Sequence, residues 1–275
     1  MSLPLPAGRP SAPSRRQSVA TSPPPPPHGR IIAVLAGQPR HDAYREAVER
    51  AVRAIHDAGD EARFPASMRR HRRGLFAIIN VGLSYGKGQA TPGWLHTKEY
   101  TGIADSLLAN KDVRRLAGFA NAAFALWAPR LYARYRACDA KLREVHPNLR
   151  RPFAHSVFFC TAFNFGRNVW TFKHCDVLNL VFGWCAVQAL GHFDPKKGGH
   201  LVLWDLKLVG NEERASFTQF SAGGIFRYCD NGCQTVKELE ESNPDEYQRL
   251  MALKAERWEQ GLNLLSTMDE LLTVE

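Results

Sequence analysis

From residue 153 to residue 228 the chain breaks into short apolar segments separated by glycine, proline and asparagine, and this spacing constrains the fold most. The segments at 157–165, 169–172, 182–190, 200–206 and 215–220 are rich in Val, Phe, Trp and Thr, and each is too short to read as an independent helix. Five strand candidates with turn signals between them predict a β core. Helical patterns lie on both sides of this region, so the fold class expected is α+β.

One stretch in this region carries the chemistry, Asn168-Val-Trp-Thr-Phe-Lys-His-Cys-Asp176. His174 and Asp176 stand two apart beside strand-like residues, and the two-residue period of a strand would point both to one side. An imidazole and a carboxylate so placed are two of the three ligands of a His-x-Asp…His facial triad, which holds Fe(II) and leaves positions open. The spacing alone also fits a half-exposed polar pair at a strand start. A strand candidate, Gly198-Gly-His-Leu-Val-Leu-Trp-Asp205, follows, and then Arg214-Ala-Ser-Phe-Thr-Gln-Phe220. An arginine inside a β-barrel suits bidentate capture of a carboxylate such as the far end of 2-oxoglutarate. His-x-Asp, several strands, then Arg-x-Ser is the order of a jelly-roll 2-oxoglutarate oxygenase.

Four motifs together, Phe163-Asn-Phe-Gly-Arg-Asn-Val-Trp-Thr-Phe-Lys-His-Cys-Asp176, Gly183-Trp-Cys-Ala-Val-Gln188, Phe193-Asp-Pro-Lys-Lys-Gly-Gly-His-Leu-Val-Leu-Trp204 and Arg214-Ala-Ser-Phe-Thr-Gln-Phe-Ser-Ala-Gly-Gly224, closely resemble one family. It is the TET/JBP-like 2-oxoglutarate/Fe(II) dioxygenases carried by fungal Kyakuja–Dileera–Zisupton transposons. The resemblance runs from about residue 73 to residue 241. It implies a double-stranded β-helix (jelly roll) that oxidises the methyl group of 5-methylpyrimidines in nucleic acid. It also implies Fe(II) bound by His174 and Asp176, and 2-oxoglutarate held by Arg214 and Ser216.

In that family a third ligand, a histidine, lies between the Gly-Gly-His-Leu strand and the Arg-x-Ser strand. Here Leu208-Val209 passes through Gly210-Asn-Glu-Glu213 directly to Arg214. Only 38 residues separate Asp176 from Arg214, where about five jelly-roll strands with their turns would take on the order of 50. The interval is about two strands short. His192, His200, Glu212 and Glu213 are the substitute ligands to consider, and all are poorly placed. The expectation is therefore a degenerate, inactive relative with an incomplete β-helix and weak or lost binding of Fe(II) and 2-oxoglutarate. The alternative is an active nucleic-acid methyl dioxygenase with a substitute third iron ligand.

Charge supports a polyanionic partner, and the resemblance implies nucleic acid, DNA rather than RNA. Residues 1–236 carry 32 Lys+Arg against 17 Asp+Glu, whereas residues 237–275 carry 4 against 10. The arginines of the block Met68-Arg-Arg-His-Arg-Arg73, and those interleaved through 127–151, are the candidate phosphate contacts. Four sections are expected: a disordered Pro-rich basic tail (1–30), a helical and mixed layer (31–150), the β-helix core (151–236) and an acidic C-terminal helix (237–275). Within the second, residues 31–35 read as a short strand, 41–58 as an amphipathic helix, 74–82 as a buried strand, and 106–145 as two helices divided near Pro129. Asn243, Pro244 and Glu246 start the last helix. No apolar run approaches the ~20 residues of a membrane span. The six scattered cysteines read as free thiols of an intracellular, nuclear protein. Cys229 and Cys233 alone are too few for a zinc site.

Overall fold

The computed structural model describes residues 29–86, 88–167, 169–191, 215–254 and 256–273. Outside them lie nearly all of the N-terminal tail, the 200–206 strand candidate, Arg214 and the four substitute-ligand candidates.

The order along the chain is α1 (Asp42–Ala62), β1 (Ala77–Ser84), β2 (Gly93–Trp94), α2 (Thr101–Ala109), α3 (Lys111–Trp127), α4 (Pro129–Val145), β3 (Cys160–Phe165), β4 (Ala186–Leu190) and β5 (Ala215–Phe220). After these come five shorter helices, α5 (Gly223–Asp230), α6 (Val236–Ser242), α7 (Pro244–Ala252), α8 (Arg257–Leu262) and α9 (Met268–Leu272). The strands form one antiparallel sheet in the order β2-β1-β3-β5-β4. The fold is α+β, as the segment pattern predicts.

The register sorts the side chains onto two unlike faces. Ile79, Phe163, Phe217 and Gln188 align across the four long strands and share a face. That face packs on α1, α2 and α3 through Tyr44, Ile55, Leu107 and Leu116. The Phe163 and Phe217 rings stack at 5.3 Å, and Gln188 Nε2 donates to Leu116 O of α3. The opposite face presents Ile78, Asn164, Ser216 and Ala189 in one row and Asn80, Ala162, Thr218 and Val187 in the next. Its polar rows contrast with the aromatic face. A second core, built on Phe124, Leu131, Tyr135, Phe158 and Phe226, joins α3 and α4 to α5 beyond the end of the strands.

Local signals explain the helix boundaries. His41 Nδ1 accepts from Ala43 N to cap α1, and Asn110 Oδ1 accepts from Asp112 N and Val113 N to cap α3. Pro129 opens α4 at a position where no N–H is needed. Gly82 lies inside β1 at φ +134, and a Cβ there would come within 2.3 Å of Phe159 O, so the close approach of the chain at 159–160 requires glycine.

Four expectations are corrected. The stretch from 106 to Pro129 is not one helix: α2 ends at Ala109, and the Asn110 cap starts α3 at Lys111. Residues 31–35 form no strand: the segment is held by a bridge from Arg30 to Thr267, with Ile31 N donating to Ser266 O and Arg30 donating to Leu265 O and Asn263 Oδ1. Only Arg30 and Ile31 meet the turn between α8 and α9, and Ile32 and Leu35 are exposed. Residues 169–172 shrink from a strand to a bridge between Thr171 and Gly74. The acidic C-terminal helix is divided into short helices. Gly261 in α8 sits on the Phe182 ring, where a Cβ would approach within 2.1 Å, and Thr267 with Glu270 forms a capping box that starts α9 afresh.

Helix α1 is clamped to α3 by a two-point ion pair, with Arg50 Nε and Nη2 donating to Asp112 Oδ2 and Oδ1 at 2.9 and 3.0 Å. The Arg50 hydrogen bond, opposed by burial, holds the Asp112 carboxyl below its ordinary value. A depressed folded pKa contributes stability that is complete above the unfolded carboxylate value of about 4 and is lost as pH falls through the folded one. Asp112→Asn is therefore expected to lower the thermal midpoint by a few degrees at pH 7. The difference from the unaltered protein should shrink below about pH 4, as read by circular dichroism melts across pH.

Candidate functional site

The segment 166–185 crosses from one end of the sheet to the other. Near its start Phe172 N donates to Arg73 O just before β1, and near its end Leu180 N donates to Ser221 O just after β5. Between these anchors His174 and Asp176 lie in irregular chain rather than on a strand. The tertiary anchors nonetheless bring them together, with His174 Nε2 3.9 Å from Asp176 Oδ1. His174 Nδ1 is 2.8 Å from Phe172 O. A proton on Nδ1 would be donated to that carbonyl, leaving Nε2 as the free ring nitrogen facing the carboxylate.

The oxygen that faces His174 is already engaged. Arg73 Nη2 donates to Asp176 Oδ1 at 2.5 Å, and Arg72 Nη2 lies 3.7 Å from it while Arg72 Nη1 donates to Cys175 O. The arginine block is thus bound to the His-x-Asp stretch, a link that residue spacing does not reveal across about 100 positions. His71 belongs to the same cluster. Its Nδ1 accepts from Arg73 N, and its ring meets Phe76 edge-on at 4.9 Å. Burial pushes the His71 imidazole down, against the effect of the Phe76 backbone, and the Arg73, Arg72 and His174 charges add to the depression.

As it stands this donor set does not fit an Fe(II) facial triad. Among the described residues no group of three His, Cys, Asp or Glu side chains is placed to hold a metal, and a guanidinium rather than an imidazole completes the surroundings of Asp176. Arg214 lies outside the described residues. Ser216 is buried in β5, opposite Asn164 of β3 on the polar sheet face. Asn164 Oδ1 and Asn80 Oδ1, diagonal neighbours on that face, are both buried without a hydrogen-bond partner among the described residues.

The expected basic surface is only partly free. Arg130 is bound to Leu265 O and Glu270, Arg134 to Asp230, Arg143 and Arg151 to Asp139, and Arg150 to Asp105. Arg70, Arg136 and Lys141 are exposed and make no ion pair among the described residues. A basic cluster absent from the sequence reading lies at a cavity of about 300 Å³ lined by Lys111, Arg114, Arg115 and His155 over Phe153. The i, i+3, i+4 spacing of Lys111, Arg114 and Arg115 on α3 was the signal for it. His155 joins them only through the return of the chain after α4. The lining of this cavity includes neither His174 nor Asp176, nor the arginines that bind Asp176.

No model of a known protein family matches the chain, and no curated protein matches it either. Among the described residues no helix is long and apolar enough to cross a membrane.

The Arg73–Asp176 pair is half-exposed, and its loss is expected to cost about 1 kcal/mol, a drop of a few degrees in thermal midpoint for Arg73→Ala. Treatment with EDTA is expected to leave the midpoint of the unaltered protein unchanged. A fall on chelation, measured by differential scanning fluorimetry, would reveal a structural metal.

Proposed function

We propose that the chain is a degenerate relative of the TET/JBP-like 2-oxoglutarate/Fe(II) dioxygenases that does not turn over, and that what it keeps is electrostatic contact with nucleic acid, DNA rather than RNA. The observation that carries this reading is the engagement of Asp176 Oδ1 by Arg73. A carboxylate so neutralised is a poor ligand, and His174 with Asp176 alone supplies neither the affinity nor the fixed open positions of a facial triad. The 38-residue interval from Asp176 to Arg214 supports the same conclusion, because it has no room for the strands that bear the family's distal histidine.

On this reading the sheet is the surviving part of a double-stranded β-helix. The support is its antiparallel order and its division into an aromatic face packed on helices and a polar face bearing Asn80, Asn164 and Ser216. Bound Fe(II) and 2-oxoglutarate would supply oxidising chemistry in an intact relative. Here Ser216, with Arg214, would at most hold a carboxylate weakly. The basic cavity at Lys111, Arg114, Arg115 and His155, together with Arg70, Arg136 and Lys141, provides charge that tracks phosphates without reading bases. On the same reading the protein acts in the nucleus.

Two measurements test this. After anaerobic loading with Fe(II) and 2-oxoglutarate, followed by O₂ and a 5-methylcytosine duplex, succinate release and loss of the methyl mark are expected to stay at the level of a His174→Ala control. Turnover well above that control would overturn the reading and direct attention to Glu213 and His200 as ligands. Duplex binding is expected to weaken by about 10²-fold between 50 and 200 mM salt if roughly four phosphates are contacted. Lys111→Ala with Arg114→Ala should weaken it equally for methylated and unmethylated duplexes, as read by fluorescence anisotropy.

A further inference from the structure

Cys138 on α4 and Cys229 on α5 meet inside the second core, both fully buried, with their Sγ atoms 2.8 Å apart. Less than about 1 Å of movement separates them from a disulfide bond length of about 2.05 Å. The two helices are already fastened to each other by the Arg134–Asp230 ion pair and by the Tyr135 and Phe226 rings at 4.7 Å. Closing that bond therefore asks little of the backbone.

A third thiol gives the pair a route to solvent. Gly232 at φ +78 and Cys233 at φ +62 turn the chain back after α5, and Cys233 N donates to Tyr228 O. A non-glycine residue in the left-handed region is uncommon and is held here by its surroundings. The turn packs Cys233 against the same core as Cys229, four residues after it, and unlike the other two cysteines Cys233 is only half-buried. The hydrogen bond donated by Cys138 holds the Cys229 thiol below its ordinary value against burial, with Cys233 adding to the effect. Burial, followed by the neighbouring Cys229, pushes Cys233 up to about 11.

We propose that Cys138, Cys229 and Cys233 form a thiol–disulfide exchange site for a low-molecular-weight disulfide such as oxidised glutathione, entering at Cys233 and ending as a Cys138–Cys229 bond. Cys233 sulfur, on losing its proton, attacks the glutathione disulfide and releases one glutathione. Cys229 sulfur then attacks Cys233 sulfur, displacing the second glutathione. Finally Cys138 attacks Cys229, and Cys233 leaves as a thiol, taking up the proton that Cys138 gives up. In sum two protein thiols lose two protons and two electrons, and one glutathione disulfide becomes two glutathiones. The raised Cys233 pKa makes the first attack slow, because the thiolate is the nucleophile. The bond would close a loop across 91 residues and lock α4 to α5. Nothing in this inference depends on the oxygenase reading.

The test uses the reduced full-length chain, equilibrated without denaturant against oxidised glutathione, quenched by alkylation in acid and mapped by peptide mass spectrometry. The expected result is loss of two of the six free thiols with a Cys138–Cys229 cross-link, and a higher thermal midpoint that dithiothreitol reverses. Cys233→Ser should slow the reaction at least ten-fold and leave the end point unchanged. Six alkylated thiols at high glutathione disulfide, a bond mapped to Cys175 and Cys185, or a stable glutathione adduct on Cys233 alone would each overturn the proposal. An unchanged rate in Cys233→Ser would overturn the entry role. Because the mapping is made on the unaltered chain, a folding defect in a Cys138 variant has no bearing on the outcome.

Discussion

The pairing of β3 with β5 is the interaction on which the remaining structure depends. It joins residues 160–164 to residues 216–220 and sets Phe163 against Phe217 at the centre of the sheet. Both rings are fully buried. Each contributes about 1.5–3 kcal/mol by leaving water, with about 0.5–1.5 kcal/mol more from their stacking. A one-residue slip of either strand would send its ring to the polar face, so this register also specifies which side chains face α1, α2 and α3. Both ends of the crossing segment are anchored to strands aligned by it, at Arg73–Gly74 before β1 and at Ser221–Ala222 after β5.

Held at those two points, the crossing segment needs no strand conformation to bring His174 to Asp176. The geometry that brings them together also brings Arg72 and Arg73, because Gly74 bridges to Thr171. Charge then selects the partner. A half-exposed carboxylate beside two guanidiniums forms its shortest contact with the nearer one, and the imidazole is left at 3.9 Å. The same economy of charge governs α4. Three of its four arginines are engaged, Arg130 by Glu270, Arg134 by Asp230 and Arg143 by Asp139 of the same helix, so a positive total overstates the charge available to a ligand.

Much of the fold was legible in residue pattern. Strands β1, β3, β4 and β5, the division of α3 from α4 at Pro129 and the start of α7 at Asn243 all follow from alternation, capping or proline, which act within a few residues. The failures came where a distant residue decided the local conformation. The stripe from Tyr247 to Met268 reads as one helix, yet Gly261 must accommodate Phe182, and the capping box at Thr267 was available in the sequence but outweighed by the stripe. Residues 31–35 have the composition of a strand, yet the pairing stops at Arg30 and Ile31 against the turn between α8 and α9.

The sequence by itself determined the class of fold and the alternation that makes one sheet face aromatic. These are matters of period and distance along the chain. Tertiary structure alone decided that Arg73 binds Asp176, that His155 joins the α3 cations, and that Cys138 touches Cys229 across 91 residues. Each of those contacts links elements whose packing is set by the sheet register and the two cores. The short-range preferences of a chain carry no information about which distant groups such packing will bring together.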